Sequence, residues 1–141
     1  MGSDHHTFKT NIAIRFADMD ANGHVFFGTY LTYFDTAFLA YLDAVDYGFN
    51  RFIDQGLNLY YAEALARYKG AVRFGQTLTV EVRISHFGAT SFTIEFTLFS
   101  DLSNKPINAG HIVAVVVGMQ TERPTAIPPD FIARIREFQQ S

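Results

Sequence analysis

The stretch Arg15-Phe16-Ala17-Asp18-Met19-Asp20-Ala21-Asn22-Gly23-His24-Val25-Phe26-Phe27-Gly28-Thr29-Tyr30 ends one periodicity and begins another. Before it, Phe8, Ile12, Ile14 and Phe16 are apolar at even positions while Lys9, Asn11 and Arg15 intervene, the period of a half-buried strand running from Phe8 to Phe16. After it, Tyr30, Phe34, Ala37, Phe38, Tyr41 and Val45 recur at spacings of three and four. This predicts one long helix from Gly28 to Gly48, with Gly48 as a left-handed C-cap. The stretch is therefore a strand-to-helix connection, and it carries two acids, a Gly and a His. A carboxylate that leads into a helix N-terminus stands beside unpaired backbone N–H groups able to hold a developing oxyanion. The same residues also suit a plain turn in which Asp18 and Asp20 accept bonds from turn amides, and spacing alone favours that second reading.

Further along, Leu78, Val80, Val82 and Ile84 alternate with Thr79, Glu81 and Arg83, and Phe92, Ile94, Phe96 and Leu98 alternate with Thr93, Glu95 and Thr97. Two strands joined near Gly88 form a hairpin. Ile112 to Val117 is apolar on both faces, as in a strand well inside a sheet, with Asn104-Lys105-Pro106 as the turn before it. Pro128-Pro129-Asp130 opens a short amphipathic helix through Phe131, Ile132, Ile135 and Phe138. Leu57 to Tyr68 is ambiguous: Ala62 to Arg67 reads as helix by propensity, whereas Leu57, Leu59, Tyr60 and Tyr61 favour a strand. Taken as a strand, it completes an α+β order in which a curved antiparallel sheet surrounds one central helix.

The chain's 141 residues suit a single domain, 1–141. An apolar fraction of 48% with 15 Phe exceeds what one small core needs to cover, so a second copy is expected to bury the remainder. Eleven basic against 14 acidic residues, with no run of four or more Lys or Arg, argue against nucleic acid as a partner. No apolar run spans a membrane, and residues 1–6 lack the pattern of a leader, which predicts a cytoplasmic protein. The absence of Cys removes thiol chemistry and thiolate metal sites. His5-His6, His86 and His111 have no spacing that gathers metal ligands, and no G-x-S-x-G elbow, P-loop or G-x-G-x-x-G occurs, so neither metal nor cofactor is expected.

The pattern D-x-D-x-x-G-H-V from Asp18 to Val25, followed by Phe26-Phe27 and Tyr30, resembles the signature of the 4-hydroxybenzoyl-CoA thioesterase family. Arg67-Tyr68-Lys69-Gly70-Ala71-Val72-Arg73-Phe74-Gly75-Gln76 is similar to that family's turn into its third strand, and Thr90-Ser91-Phe92 to the entry of the next. The resemblance covers about residues 8 to 120. It implies the hotdog fold, in which about five antiparallel strands wrap a long helix, and metal-free hydrolysis of acyl-CoA thioesters. It also implies a homodimer or homotetramer with acyl sites at subunit boundaries.

Carried onto this sequence, the resemblance makes Asp20 the catalytic carboxylate, as nucleophile or general base, and Asp18 a supporting residue. The backbone amide of Phe27 becomes the oxyanion donor. Gly23, His24, Val25, Phe26, Gly28 and Tyr30 become the substrate-binding positions, with His24 either positioning Asp20 or packing as a neutral, hydrogen-bonded imidazole. Two departures shape the expectation. Phe26-Phe27 replaces a polar pair or Phe-Tyr, which predicts an aromatic pocket. Phe87-Gly88-Ala89 lacks the Lys or Arg that meets CoA phosphates in relatives, leaving Lys69, Arg73 and Arg83 as substitutes. An acyl carrier protein thioesterase and a non-catalytic acyl-binding module remain as alternatives. Glu63, in the ambiguous segment, is expected on an exposed strand face.

Overall fold

The computed structural model describes residues 7–140, so His5 and His6 lie outside it. Five strands, β1 (Phe8–Ala13), β2 (Leu57–Tyr68), β3 (Thr77–Phe87), β4 (Ser91–Ser100) and β5 (Pro106–Gly118), make one sheet in the order β1-β3-β4-β5-β2. Every neighbouring pair is antiparallel. Helices α1 (Thr29–Ala44), α2 (Phe49–Asp54) and α3 (Pro129–Gln140) accompany them. None is long and apolar enough to cross a membrane.

The alternation in β3 and β4 places Leu78, Val80, Val82, Ile84, Phe92, Ile94, Phe96 and Leu98 on one buried face, against the stripe of α1. Phe34 stacks on Phe96 at 4.5 Å with planes 2° apart, and Phe38 meets Phe92 at 6.1 Å. Each such ring stabilises the fold by about 1.5–3 kcal/mol through burial. The expected sheet around a long helix is thus observed, and β5 runs inside the sheet between β4 and β2, as its two apolar faces predict.

Leu57 to Tyr68 is a strand along its whole length despite its helix-forming residues. Pairing with the Val-rich β5 overrides propensity, and the pleat absorbs one bulge between Tyr61 and Glu63. Gly110 allows this pairing, since a Cβ there would lie 1.9 Å from the Leu65 carbonyl oxygen.

The ends of the first strand and of the first helix differ from the sequence reading. The first strand stops at Ala13, and Phe16 lies in a 3-10 turn (Phe16–Asp18), 79% exposed. Helix α1 ends at Ala44, and the left-handed residue beyond it is Asp46 (φ 57) rather than Gly48. Gly48 is extended and opens α2, a helix whose six residues are too few to display a period. The break turns Tyr47 into the core, where its ring packs on Phe52 and Phe131. Arg134 of α3 donates to the Val45 and Asp46 carbonyls left open at the helix end.

Candidate active site

Residues 18–28 fold as a small hairpin leading into α1. Met19 and Val25 form a β-bridge, Phe26 N–H donates to the Asp18 carbonyl at 2.8 Å, and Asp20 N–H donates to the His24 carbonyl at 2.7 Å. Gly23 N–H returns to the Asp20 carbonyl at 3.1 Å, closing a four-residue turn whose last residue, Gly23, is left-handed with φ 79. Val25 N–H reaches the Val72 carbonyl at 2.9 Å, which ties the hairpin to the 72–76 turn.

The two carboxylates of the motif are held differently. Asp18 is buried, 4% exposed. Its Oδ2 accepts the Arg15 amide at 3.0 Å and the Tyr33 hydroxyl at 2.9 Å, and its Oδ1 accepts the Arg15 guanidinium at 2.9 Å. Burial works against its charge, but the Arg15 amide and guanidinium and the Tyr33 hydroxyl outweigh it and hold the carboxyl below its ordinary value. Burial, reinforced by Asp18, pushes the Tyr33 hydroxyl up, so it remains a donor.

Asp20 is half-buried at the hairpin tip. Its Oδ1 accepts the Asn22 amide at 2.8 Å and the His24 amide at 3.1 Å. Its Oδ2 has no hydrogen-bond partner among the described residues. The turn-amide reading of the sequence therefore describes one oxygen of this carboxylate and leaves the other open. His24 holds Asp20 through its backbone on both sides, and its imidazole makes no hydrogen bond among the described residues.

At the start of α1, Phe26 carbonyl accepts Thr29 N–H at 2.9 Å, whereas the N–H groups of Phe27 and Gly28 donate to nothing among the described residues. Phe26 and Phe27 are 48% and 63% exposed, with ring centroids 4.7 Å apart. The Phe26 ring covers Gly28 closely: a Cβ on residue 28 would meet it at 2.9 Å. Val25 and Tyr30 are buried, and Tyr30 packs edge-on against Tyr33 and Tyr68, so these two back the exposed wall from within.

Of the basic candidates, Arg73 comes to the hairpin, with a guanidinium nitrogen 3.8 Å from the position of a Cβ on Gly23. Arg83 stands on the exposed side of β3 and Lys69 just past the end of β2. Glu63 is exposed and hydrogen-bonded to His111, as a solvated strand position would be.

Three contributors escaped the sequence reading. Arg15 and Tyr33 complete the Asp18 cluster, and only the i,i+3 spacing of Arg15 to Asp18 signalled it. Tyr68, the last residue of β2, donates its hydroxyl to the Phe27 carbonyl at 2.7 Å across 41 positions of sequence. From this contact a seam between α1 and β2 continues through a Tyr61–Asp35 hydrogen bond to a cavity of about 630 Å³ lined by Asp35, Leu39, Phe49, Leu59, Tyr60 and Tyr61. That cavity includes none of the expected site residues, and it begins roughly 12 Å along the helix from Phe27 at 1.5 Å per residue.

Residues 14–135 match the model of the Thioesterase-like superfamily. The chain belongs to that family, and its class is that of the thioester hydrolases. The resemblance drawn from the motif is carried to the level of this superfamily. No curated protein matches in sequence.

Among solved structures, a 1,4-dihydroxy-2-naphthoyl-CoA thioesterase from Synechocystis aligns with a TM-score of 0.86 at 19% identity, covering 94% of this chain and 97% of the other. The SAV2348 protein of Staphylococcus aureus, solved in complex with CoA, aligns with a TM-score of 0.86 at 16% identity over 95% and 84% of the two chains. The PA5185 protein of Pseudomonas aeruginosa aligns with a TM-score of 0.82 at 27% identity over 99% and 95%. The fold is the hotdog fold.

Proposed function

We propose that this protein hydrolyses acyl-CoA thioesters, with Asp20 as the reacting carboxylate and the amides at the start of α1 as the oxyanion hole. One observation carries the reading: a single strand-to-helix connection holds a carboxylate with one oxygen anchored by two amides and the other open, and, seven and eight positions on, two consecutive N–H groups unclaimed among the described residues. Asp20 Oδ2 attacks the thioester carbonyl to form a mixed anhydride that water then opens, or it takes a proton from the attacking water. In either route the carbonyl oxygen gains charge that the Phe27 amide, with that of Gly28 beside it, stabilises more in the transition state than in the ground state. Collapse expels CoA as the thiolate. Oδ1, fixed by Asn22 and His24, keeps the reacting oxygen from rotating away.

The exposed Phe26 and Phe27 favour flat or short acyl groups, and the fold shared with a thioesterase for a naphthoyl-CoA supports an aroyl substrate. Arg73 beside Gly23 offers a cation for CoA phosphates close to the chemistry. The bare turn Phe87-Gly88-Ala89 favours the second reading, an acyl carrier protein thioester.

The functional unit in this proposal is a cytoplasmic homodimer or homotetramer. Phe16 and Phe74, 79% and 58% exposed and paired edge-on at 6.0 Å, give a second copy apolar surface to cover, and β2 presents a long unpaired edge. A monomeric mass by light scattering at micromolar concentration contradicts this part.

The test of function is release of free thiol from benzoyl-, hexanoyl- and palmitoyl-CoA and from an acyl carrier protein thioester. Hydrolysis of CoA thioesters, fastest for benzoyl or hexanoyl, is the expected result. Turnover of the carrier thioester alone supports the second reading, and no release from any of them contradicts both.

A further inference from the structure

The unclaimed amides at the start of α1 belong to two peptide groups whose carbonyl ends are both anchored. The Phe26 carbonyl, on the peptide that carries Phe27 N–H, is taken by Thr29 N–H within the helix's own first turn. The Phe27 carbonyl, on the peptide that carries Gly28 N–H, receives only a long bond from Tyr30 N–H at 3.4 Å, and its short bond comes from outside, the Tyr68 hydroxyl at 2.7 Å. From these contacts we infer that Tyr68 is a positioning residue for the oxyanion hole: it fixes and polarises the Phe27–Gly28 peptide from the sheet edge. This inference rests on the thioesterase reading above.

Two physical effects act in the same direction. A donor on a peptide carbonyl draws electron density along the amide and strengthens the N–H at its other end as a donor. The bond also transmits the stiffness of the sheet to a turn otherwise held by its own hairpin, the first helical turn and the Val25 amide on the Val72 carbonyl. Tyr68 is well placed for this, since it closes β2, and the Lys69 and Gly70 amides immediately after it both donate to the Ile107 carbonyl at 2.9 and 3.1 Å. Its ring, 48% exposed, stands edge-on to Phe27 (6.2 Å, 79°) and to Tyr30 (5.4 Å, 77°), contacts that favour the rotamer in which the hydroxyl meets the Phe27 carbonyl. Burial pushes the Tyr68 hydroxyl up, and it stays protonated as a donor where carboxylate chemistry runs.

Tyr68→Phe deletes the oxygen and leaves the ring contacts. It is expected to lower kcat on the best CoA thioester by about three- to tenfold, the worth of one such hydrogen bond. KM and the Kd for a thioether analogue of that substrate, which has no carbonyl to form an oxyanion, stay at wild-type values, and the melting temperature falls by no more than a few degrees. Tyr68→Leu, which also removes the ring, is expected to lower kcat further.

Unchanged kcat in Tyr68→Phe overturns the inference, whatever Tyr68→Leu does. So does a loss in which KM and thioether Kd rise as much as kcat falls, because that describes a substrate contact. Asp20→Asn separates this failure from that of the broader reading. If Asp20→Asn is inactive while Tyr68→Phe runs at full rate, only the role of Tyr68 falls. If Asp20→Asn keeps wild-type turnover, or the wild type releases no thiol, the thioesterase mechanism falls and takes this inference with it.

Discussion

Asp18 and Asp20 have the same side chain and are separated only by Met19, yet the fold treats them oppositely. Asp18 sits in the 3-10 turn, buried, with both oxygens bonded to Arg15 or Tyr33. Asp20 sits at the hairpin tip with one oxygen bonded and one open. A carboxylate whose bonding capacity is spent inside the protein organises the chain. One that is held firmly by half of itself can act on something else. The difference comes from the backbone: the 3-10 turn directs Asp18 inward, and the left-handed Gly23 turns the chain so that the His24 amide joins that of Asn22 on Asp20.

The largest effect that sharpens this contrast is catalytic. At matched folded protein, kcat of Asp20→Asn should fall below that of Asp18→Asn by about 10²–10⁴-fold, the contribution of a positioned base or nucleophile, measured by thiol release on the best CoA substrate.

The next effect runs the other way. Asp18→Asn should lose about 1–3 kcal/mol of stability, because the Arg15 amide and the Tyr33 hydroxyl lose a charged acceptor in a buried place. The exposed Arg15 guanidinium adds little to this. Chemical denaturation checks the magnitude and acid checks the cause. A carboxyl held below its ordinary value contributes stability above that value and loses it as pH falls through the lower, folded value. The gap between wild type and Asp18→Asn should therefore be full at neutral pH and shrink below about pH 4.

Gly23→Ala tests the turn that separates the two acids. It places a Cβ on a left-handed residue with only Arg73 nearby, at 3.8 Å. A cost of about 1–2 kcal/mol is expected, with a fall in kcat as the Asp20 anchor loosens, read by unfolding and by steady-state kinetics.

The smallest effect is on selectivity. Phe27→Ala should narrow the preference for benzoyl- over palmitoyl-CoA in kcat/KM by up to roughly tenfold, while leaving the amide of residue 27 in place. An unchanged ranking means that the exposed rings do not form the acyl wall.

The same contrast shows what was legible from sequence. Strands β3 and β4 and helix α1 were readable because each presents one face to the core, so burial writes its period into the residues. β2 was not, because an edge strand with most of its central residues exposed has no such period, and its pairing with β5 outweighs its propensity. In the site, the motif resemblance singled out Asp20 and the Phe27 amide, whose roles belong to the proposal above. The tie from Tyr68 spans 41 positions, and the Tyr33 bond to Asp18 spans 15, so neither follows from local spacing. His24 proved a matter of backbone, which no side-chain pattern could announce.

The most direct test of the central claim is the rate of CoA release by Asp20→Asn, taken on the same sample whose melting temperature is recorded. Turnover is expected at or below about a hundredth of wild type, with a melting temperature within a degree or two of wild type, because the amide still accepts the Asn22 and His24 bonds. Wild-type turnover, or a loss of turnover no larger than the loss of folded protein, would contradict it.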